Sequence, residues 1–426
     1  MNANWPPGVH WPCLCFIWQE EREMHGNLFT IYQILPKIPS LRQYATIMKT
    51  MKIMIGTGFT VMFCCLLLVA GSISEAWAKA PIRVTFIAPT PPSSAPFWND
   101  YVAFMNVAAK DLGIELTVAE SNNRFEEADN VKKALHAQRK PDYLIHIYQA
   151  SISISELELA DKAGVKTIIV NTSVVDQDRD SVGFPREKFP HWIGHIYPDD
   201  REAGKLLMDL LIKKARDMGL HGDDNTIHAI GLGGNRLATS SIHREEGMKK
   251  SLENHADVEL KRYVLARWDK STSYNKTRKL LALYPETKIV WTVNDHTAMG
   301  ALHAMEETGI KAGKDVLVGG IDWSQDGIEA MRNGCMVASV GGHFMEGAWA
   351  LIMILDYQNG HDFADPNPTL RSHMTVIDAK DINAYASVLD RKNWKRIDFT
   401  SLSKTYNPNL TEYDFSPNAI LKQLEQ

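Results

Sequence analysis

The chain has 426 residues, 45% hydrophobic and 23% charged, with 46 Lys and Arg against 51 Asp and Glu for a formal charge of −5. That length accommodates two or more domains with substantial cores, and the composition excludes collagen-like, disordered and polytopic membrane chains. The acidic balance supplies no summed positive field to hold a nucleic-acid backbone, so no nucleic-acid partner is expected.

The N-terminal end departs from those averages. Residues 1–47 contain Trp5, Trp11 and Trp18 but show no sustained period, and are expected to lie upstream of the true start at Met48 or Met51. No charge occurs between Lys52 and Glu75, an interval that contains the apolar run Val61–Ala70 and leads into Ala76-Trp77-Ala78. A positive n-region, an apolar h-region and a small-x-small site predict a cleaved secretory signal peptide over residues 48–78. About twenty uncharged residues can also span a bilayer, which makes a retained anchor the alternative; Gly56, Gly58 and Gly71 dilute the stretch and favour cleavage. Cleavage after Ala78 removes Cys13, Cys15, Cys64 and Cys65 and leaves Cys335 alone, so no intrachain disulfide can form. Core burial must then stabilise the exported protein, which suits a large periplasmic protein of a Gram-negative bacterium better than a small extracellular module.

From Arg83 the chain alternates short β-branched runs with amphipathic stretches of helical length. Strands are predicted at Arg83–Ala88, Glu115–Ala119, Tyr143–Ile147 and Lys166–Val170, separated by helices near Phe97–Leu112, Glu126–Arg139 and Ile154–Ala163. After a less regular stretch, Val174–His191, further strands are predicted at Trp192–Ile196, Thr226–Leu232, Glu259–Leu265, Lys288–Thr292, Val316–Gly320 and Met336–Val340, again with helices between them. Short, nearly all-apolar strands are those of a parallel sheet buried on both faces. Two such arrays in series predict an α/β chain of two doubly wound parallel-sheet lobes, with a ligand crevice at the carboxyl ends of the strands.

The residues just past those strand ends are the candidate site. Phe97 and Trp98 follow the first strand after a Pro/Ser loop, and Tyr148 and Asn171 follow the third and fourth. Arg244 lies in the first turns of a helix after Gly233-Gly-Asn-Arg, Trp268 stands in Arg267-Trp-Asp269, Asn294 precedes Asp295, Asp322 precedes Trp323, and His343 follows Gly341-Gly342. Aromatic faces beside guanidinium, amide and carboxylate groups suit a polyhydroxylated ring, whose C–H faces stack while its hydroxyls need directional donors and acceptors. Phe97 and Trp323 would serve equally well as hinge packing.

At these residues the chain resembles a known family. Val290–Leu302 is similar to the strand, Asn-Asp and helix segment of type I periplasmic sugar-binding proteins, the ribose-binding and LacI-like superfamily. Gly319-Gly-Ile-Asp-Trp323 resembles its Gly-x-Asp segment, Arg244-Glu-Glu-Gly247 its Arg-x-x-Gly helix start, and Pro96-Phe-Trp98 its aromatic motif. The resemblance implies two lobes joined by a three-strand hinge, with 79–173 plus 343–372 as the N-terminal lobe and 174–342 plus 373–426 as the C-terminal lobe and tail. It implies a monomeric, non-enzymatic binder that captures a sugar or sugar-like ligand and docks on an inner-membrane ABC permease, with no cofactor. Phe97 or Trp98 and Trp268 would sandwich the ring, while Arg244, Asn294 and Asp322 would bond its hydroxyls. Tyr148-Gln149 and Gly342 replace residues that ribose binders carry at matching positions, so ribose itself is not implied. The segment Asn171–Pro198 and the tail from Lys380 look more like LuxP-type autoinducer receptors, which bind a furanosyl signal and partner a membrane sensor kinase.

Other classes fail on identifiable grounds. Gly231-Leu-Gly-Gly-Asn235 is not a dinucleotide loop, and a repressor would need a helix-turn-helix where this chain has an export signal. Asp322–Gly327 resembles half a calcium loop, but its twelfth position is Asn333 where Glu is required. A carbohydrate hydrolase using Asp295 and Asp322 as its carboxylate pair is the enzyme alternative.

Overall fold

The computed structural model describes residues 80–364 and 367–425. The expected signal peptide, and with it Cys13, Cys15, Cys64 and Cys65, lies outside the described residues. Among the described residues no helix is long and apolar enough to cross a membrane.

The first array runs β1 (Arg83–Ala88), α1 (Pro96–Asp111), β2 (Glu115–Glu120), α2 (Arg124–His136), β3 (Tyr143–Ile147), α3 (Ser153–Ala163), β4 (Lys166–Val170), α4 (Asp176–Val182) and β5 (Trp192–Pro198). The second runs α5 (Asp200–Asp217), β6 (Ile227–Gly233), α6 (Thr239–Leu252), β7 (Val258–Leu265), α7 (Lys270–Leu283), β8 (Thr287–Thr292), α8 (Asp295–Thr308), β9 (Leu317–Asp322), α9 (Gln325–Arg332) and β10 (Ala338–Gly341). The chain then returns through α10 (Glu346–Gln358) and β11 (Thr369–Ser372), adds β12 (Thr375–Asp378), and ends in a tail with α11 (Ala386–Leu389) and α12 (Pro417–Leu424). One six-stranded sheet has the order β2-β1-β3-β4-β5-β11 with every pair parallel. The other has the order β7-β6-β8-β9-β10-β12, parallel except for β12.

These strands behave as their composition dictates. Central β3 and β9 are buried along their whole length, whereas edge strands β2 and β7 are half exposed. Polar residues at strand ends start the next helices: Asn123, Asp199, Asp269, Asn294 and Ser324 each accept a backbone N–H of the first turn through the side chain. The expectation for the lobe boundary needs correction. β5 pairs with β4 in the first sheet, so that lobe runs on to Pro198 and does not close at residue 173. Val174–His191, with α4, is an excursion between two neighbouring strands; its irregularity has nothing to do with a lobe boundary.

The chain crosses between the sheets three times: from β5 to α5, from β10 to α10, and from β11 to β12. At the second crossing Gly342 takes φ 104°, and a Cβ there would lie 2.2 Å from Pro417 of the tail. The tail does not simply extend the second lobe. Tyr385 packs on Trp323 of the second lobe, while Trp394 and Phe399 pack edge-on against Phe104 of α1 in the first. Asp356, buried in α10, fastens the same tail by accepting from Ser403 Oγ (2.5 Å), Lys404 N (2.8 Å), Thr405 N (2.8 Å), Thr405 Oγ1 (2.7 Å) and Tyr413 Oη (2.9 Å).

Candidate functional site

A cleft of about 610 Å³ opens between the carboxyl ends of the two sheets. All nine residues singled out by sequence line it: Phe97, Trp98, Tyr148 and Asn171 from the first lobe, Arg244, Trp268, Asn294 and Asp322 from the second, and His343 from the second crossing. The parallel topology explains the convergence, because every one of them follows the carboxyl end of a strand or opens the helix after it.

Arg244 organises the second-lobe wall. It is 3% exposed, and its Nε donates to Asp200 Oδ1 at 2.7 Å, Nη1 to the Val293 carbonyl at 3.0 Å, and Nη2 to His343 Nε2 at 3.1 Å. Nη1 also stands 3.6 Å from Asp322 Oδ1. Asp200 and Asp322 hold the guanidinium charged against the cost of burial. Because Arg244 donates to His343 Nε2, the His343 proton resides on Nδ1, a buried atom with no protein partner. Burial and the adjacent guanidinium push the His343 pKa well below its ordinary value, so the ring is neutral.

Asn294 divides its amide between two tasks. Its Oδ1 caps α8 by accepting from Thr297 N at 2.9 Å, and its Nδ2 donates to Asp322 Oδ2 at 3.3 Å. Asp322 is buried, with φ 134° aiming the end of β9 into the cleft. Burial pushes its carboxyl well above the carboxylate range, Arg244 pulls the other way, and the nearby Asp295 adds to the rise. Asp295 itself does not reach the cleft. It is fully buried and accepts from Ser324 N and Ser339 Oγ, both at 2.8 Å, tying together the ends of β9 and β10. Burial raises its pKa to about 6.

Aromatic faces close both sides. Phe97 stacks on His343 with ring centroids 4.6 Å apart, and Trp98 meets Phe97 edge to face at 5.1 Å. Opposite, Trp268 adopts φ 63° and lies 5.9 Å from the Arg244 guanidinium. Gly234 makes room for it, since a Cβ there would meet the indole at 2.4 Å. Tyr148 turns its hydroxyl away from the lining, donating to Asp178 of α4 at 2.7 Å. Asn171, at φ 64°, rests against buried Glu346 at the start of α10.

The family model described as "Periplasmic binding protein domain" matches residues 86–362, more than half of the chain. The chain belongs to the periplasmic binding protein family. Its relatives include the ribose import binding protein RbsB of Salmonella typhimurium, 27% identical over 54% of this chain and 70% of that protein. The galactofuranose-binding protein YtfQ of Escherichia coli is 24% identical over 64% of this chain and 82% of its own length. A solved periplasmic sugar-binding protein from Pseudomonas fluorescens superposes with a TM-score of 0.72 at 28% identity, covering 81% of this chain and all of the other.

In this periplasmic binding protein, residues lining the cleft and one behind its wall escaped the sequence reading. Asp200, the counter-ion of Arg244, looks like any helix-start carboxylate until the fold brings α5 against α6. Backbones there approach so closely that a Cβ on Gly247 would lie 1.8 Å from the Arg201 carbonyl. Asn123, Arg124, Asn235 and His296 line the cleft, with no signal beyond standing at strand-to-helix junctions. Trp323, left open between ligand contact and packing, is packing: it is 3% exposed and its Nε1 donates to the Ser339 carbonyl at 3.1 Å. The hydrolase alternative required Asp295 and Asp322 to face one substrate, and only Asp322 faces the cleft.

Proposed function

We propose that the protein captures one sugar or sugar-like molecule between its lobes in the periplasm, after loss of the leader ending at Ala78, and delivers it as a monomer to an inner-membrane ABC permease. The observation that carries this reading is the convergence of aromatic faces and directional polar groups from both lobes on one cleft of about 610 Å³, a size suited to a small ligand. Phe97 or Trp98 and Trp268 stack on the ring, as apolar C–H faces require. Arg244, Asn294, Asp322 and the Nδ1–H of His343 bond its hydroxyls, and Tyr148 and Asn171 complete the first-lobe wall. The names of two relatives, ribose import binding protein and galactofuranose-binding protein, support a sugar as the ligand class. Contacts from both lobes give a ligand higher affinity for a closed arrangement than an open one, so binding shifts the population by bending at the three crossings. Closure is the signal that the permease reads.

A thermal-shift screen of pentoses, hexoses, furanoses, polyols and furanosyl borate tests the reading. One chemical group of sugars at a hundred times its Kd is expected to stabilise the protein by about 2.7 kcal/mol, a rise of several degrees in Tm. No shift across the panel, or hydrolysis of a labelled sugar on incubation, would overturn it.

A further inference from the structure

A second group of chemically active side chains lies inside the first lobe. His146 is on β3, and Glu127 and Glu156 are in the first turns of α2 and α3. Their relative exposures are 0%, 0% and 1%, and one ligand-type atom from each lies within 4.8 Å of the other two. Packing does not account for the trio. Glu127 Oε2 accepts from Gln149 Nε2, and Glu156 Oε2 accepts from Ser153 Oγ at 3.0 Å. His146 Nδ1 faces the Ile147 carbonyl at 2.9 Å and Glu156 Oε2 at 3.4 Å. That leaves Glu127 Oε1, Glu156 Oε1 and His146 Nε2 buried with no partner.

Three features distinguish this from a satisfied polar core. Nδ1 bonds the Ile147 carbonyl, so it carries the proton and Nε2 exposes its lone pair. An imidazole anchored through Nδ1–H to a carbonyl, with Nε2 free, is the arrangement that orients a metal ligand. Among the described residues neither carboxylate is paired with a lysine or arginine, and two carboxylates at one buried point are costly without a cation. Helix N-termini favour negative charge at Glu127 and Glu156, yet they leave one oxygen of each without a bond.

We propose that Glu127, His146 and Glu156 hold one Zn²⁺ ion inside the first lobe. One imidazole nitrogen and two carboxylate oxygens form a donor set that suits zinc, which outcompetes manganese and ferrous iron at such sites. Bonds of about 2.0–2.2 Å require the three atoms to draw together by roughly 1 Å, within reach of side-chain rotation of the two glutamates. Gln149, which donates to Glu127, also lines the cleft. The site does not depend on what the cleft binds.

The test uses the full exported chain, stripped with EDTA, dialysed against Zn²⁺ and desalted. Metal analysis is expected to find one zinc per chain, and the reloaded protein to melt several degrees higher, reversibly with EDTA. The isosteric Glu127→Gln and Glu156→Gln variants should each weaken Zn²⁺ binding at least tenfold while keeping a cooperative melt in EDTA. X-ray absorption at the zinc edge of the wild type is expected to show one imidazole and oxygen ligands, and it decides the matter if a variant does not fold. Less than one zinc per chain, affinity unchanged in both variants, or a sulfur or multi-imidazole environment would overturn the proposal, the last two by placing the ion elsewhere, such as near Cys335 or the surface histidines.

Discussion

Arg244→Ala is expected to lower the affinity for the sugar well over tenfold and to destabilise the fold by about 3–5 kcal/mol. Among the described residues the guanidinium is the only cation bonded to buried Asp200, and it stands 3.6 Å from buried Asp322, so truncation leaves two carboxylates without their counter-charge. His343 Nε2 and the Val293 carbonyl lose a donor at the same time. Loss of a charged donor from a buried network costs on the order of 2 kcal/mol or more in binding, which alone exceeds tenfold. Stability and recognition can be separated by neutralising the stranded partner. Arg244→Ala combined with Asp200→Asn should recover much of the denaturation midpoint and none of the affinity. Calorimetric titration and urea unfolding read the two effects, and wild-type affinity in Arg244→Ala would remove this residue from the recognition network.

Asp356→Ala should cost about 3 kcal/mol or more, seen as a lower midpoint in urea. One buried carboxylate accepts from five donors contributed by Ser403, Lys404, Thr405 and Tyr413, and its loss leaves all of them to find other partners. The tail carries Trp394 and Phe399 onto Phe104 and Tyr385 onto Trp323. Loosening it should therefore expose tryptophan, giving a red-shifted emission and faster proteolysis between residues 379 and 416. Asp356→Asn, which keeps an acceptor of the same shape, should recover part of the loss. An unchanged midpoint in Asp356→Ala would show that aromatic packing alone secures the tail.

The chain's alternation of apolar strands and amphipathic helices made the two parallel arrays legible, and with them the rule that ligand groups follow strand ends. Arg244, Asn294 and Asp322 could be named because a charged or amide group directly after an apolar strand or in the next helical turn has few other places to go. Lobe membership was not legible for β5, because only pairing with β4 decides it, and that pairing spans an irregular excursion the sequence presents as a break. Pairwise commitments were hidden for the same reason. Nothing local to Tyr148 points to Asp178, nothing near Arg244 points to Asp200, and the buried trio of Glu127, His146 and Glu156 exists only once α2 and α3 pack against β3. The separate fates of Asp295 and Asp322 depend on register, since β10 presents Ser339 to one and leaves the other facing the cleft.

On the proposed function, the cleft between the lobes recognises a sugar by stacking and hydrogen bonding without transforming it. Isothermal titration of the most stabilising sugar into wild type and Trp268→Ala, followed by analysis of the recovered sugar, tests it most directly. Trp268 is half-buried at the cleft wall and packs at the edge of the second-lobe core, so its truncation should lower the melting temperature of the unliganded protein less than Arg244→Ala does and leave it folded at the titration temperature. One sugar bound per chain in wild type, affinity reduced at least tenfold in Trp268→Ala, and intact sugar recovered from both is the predicted result; equal affinity in the two proteins, or a chemically altered sugar, would contradict it.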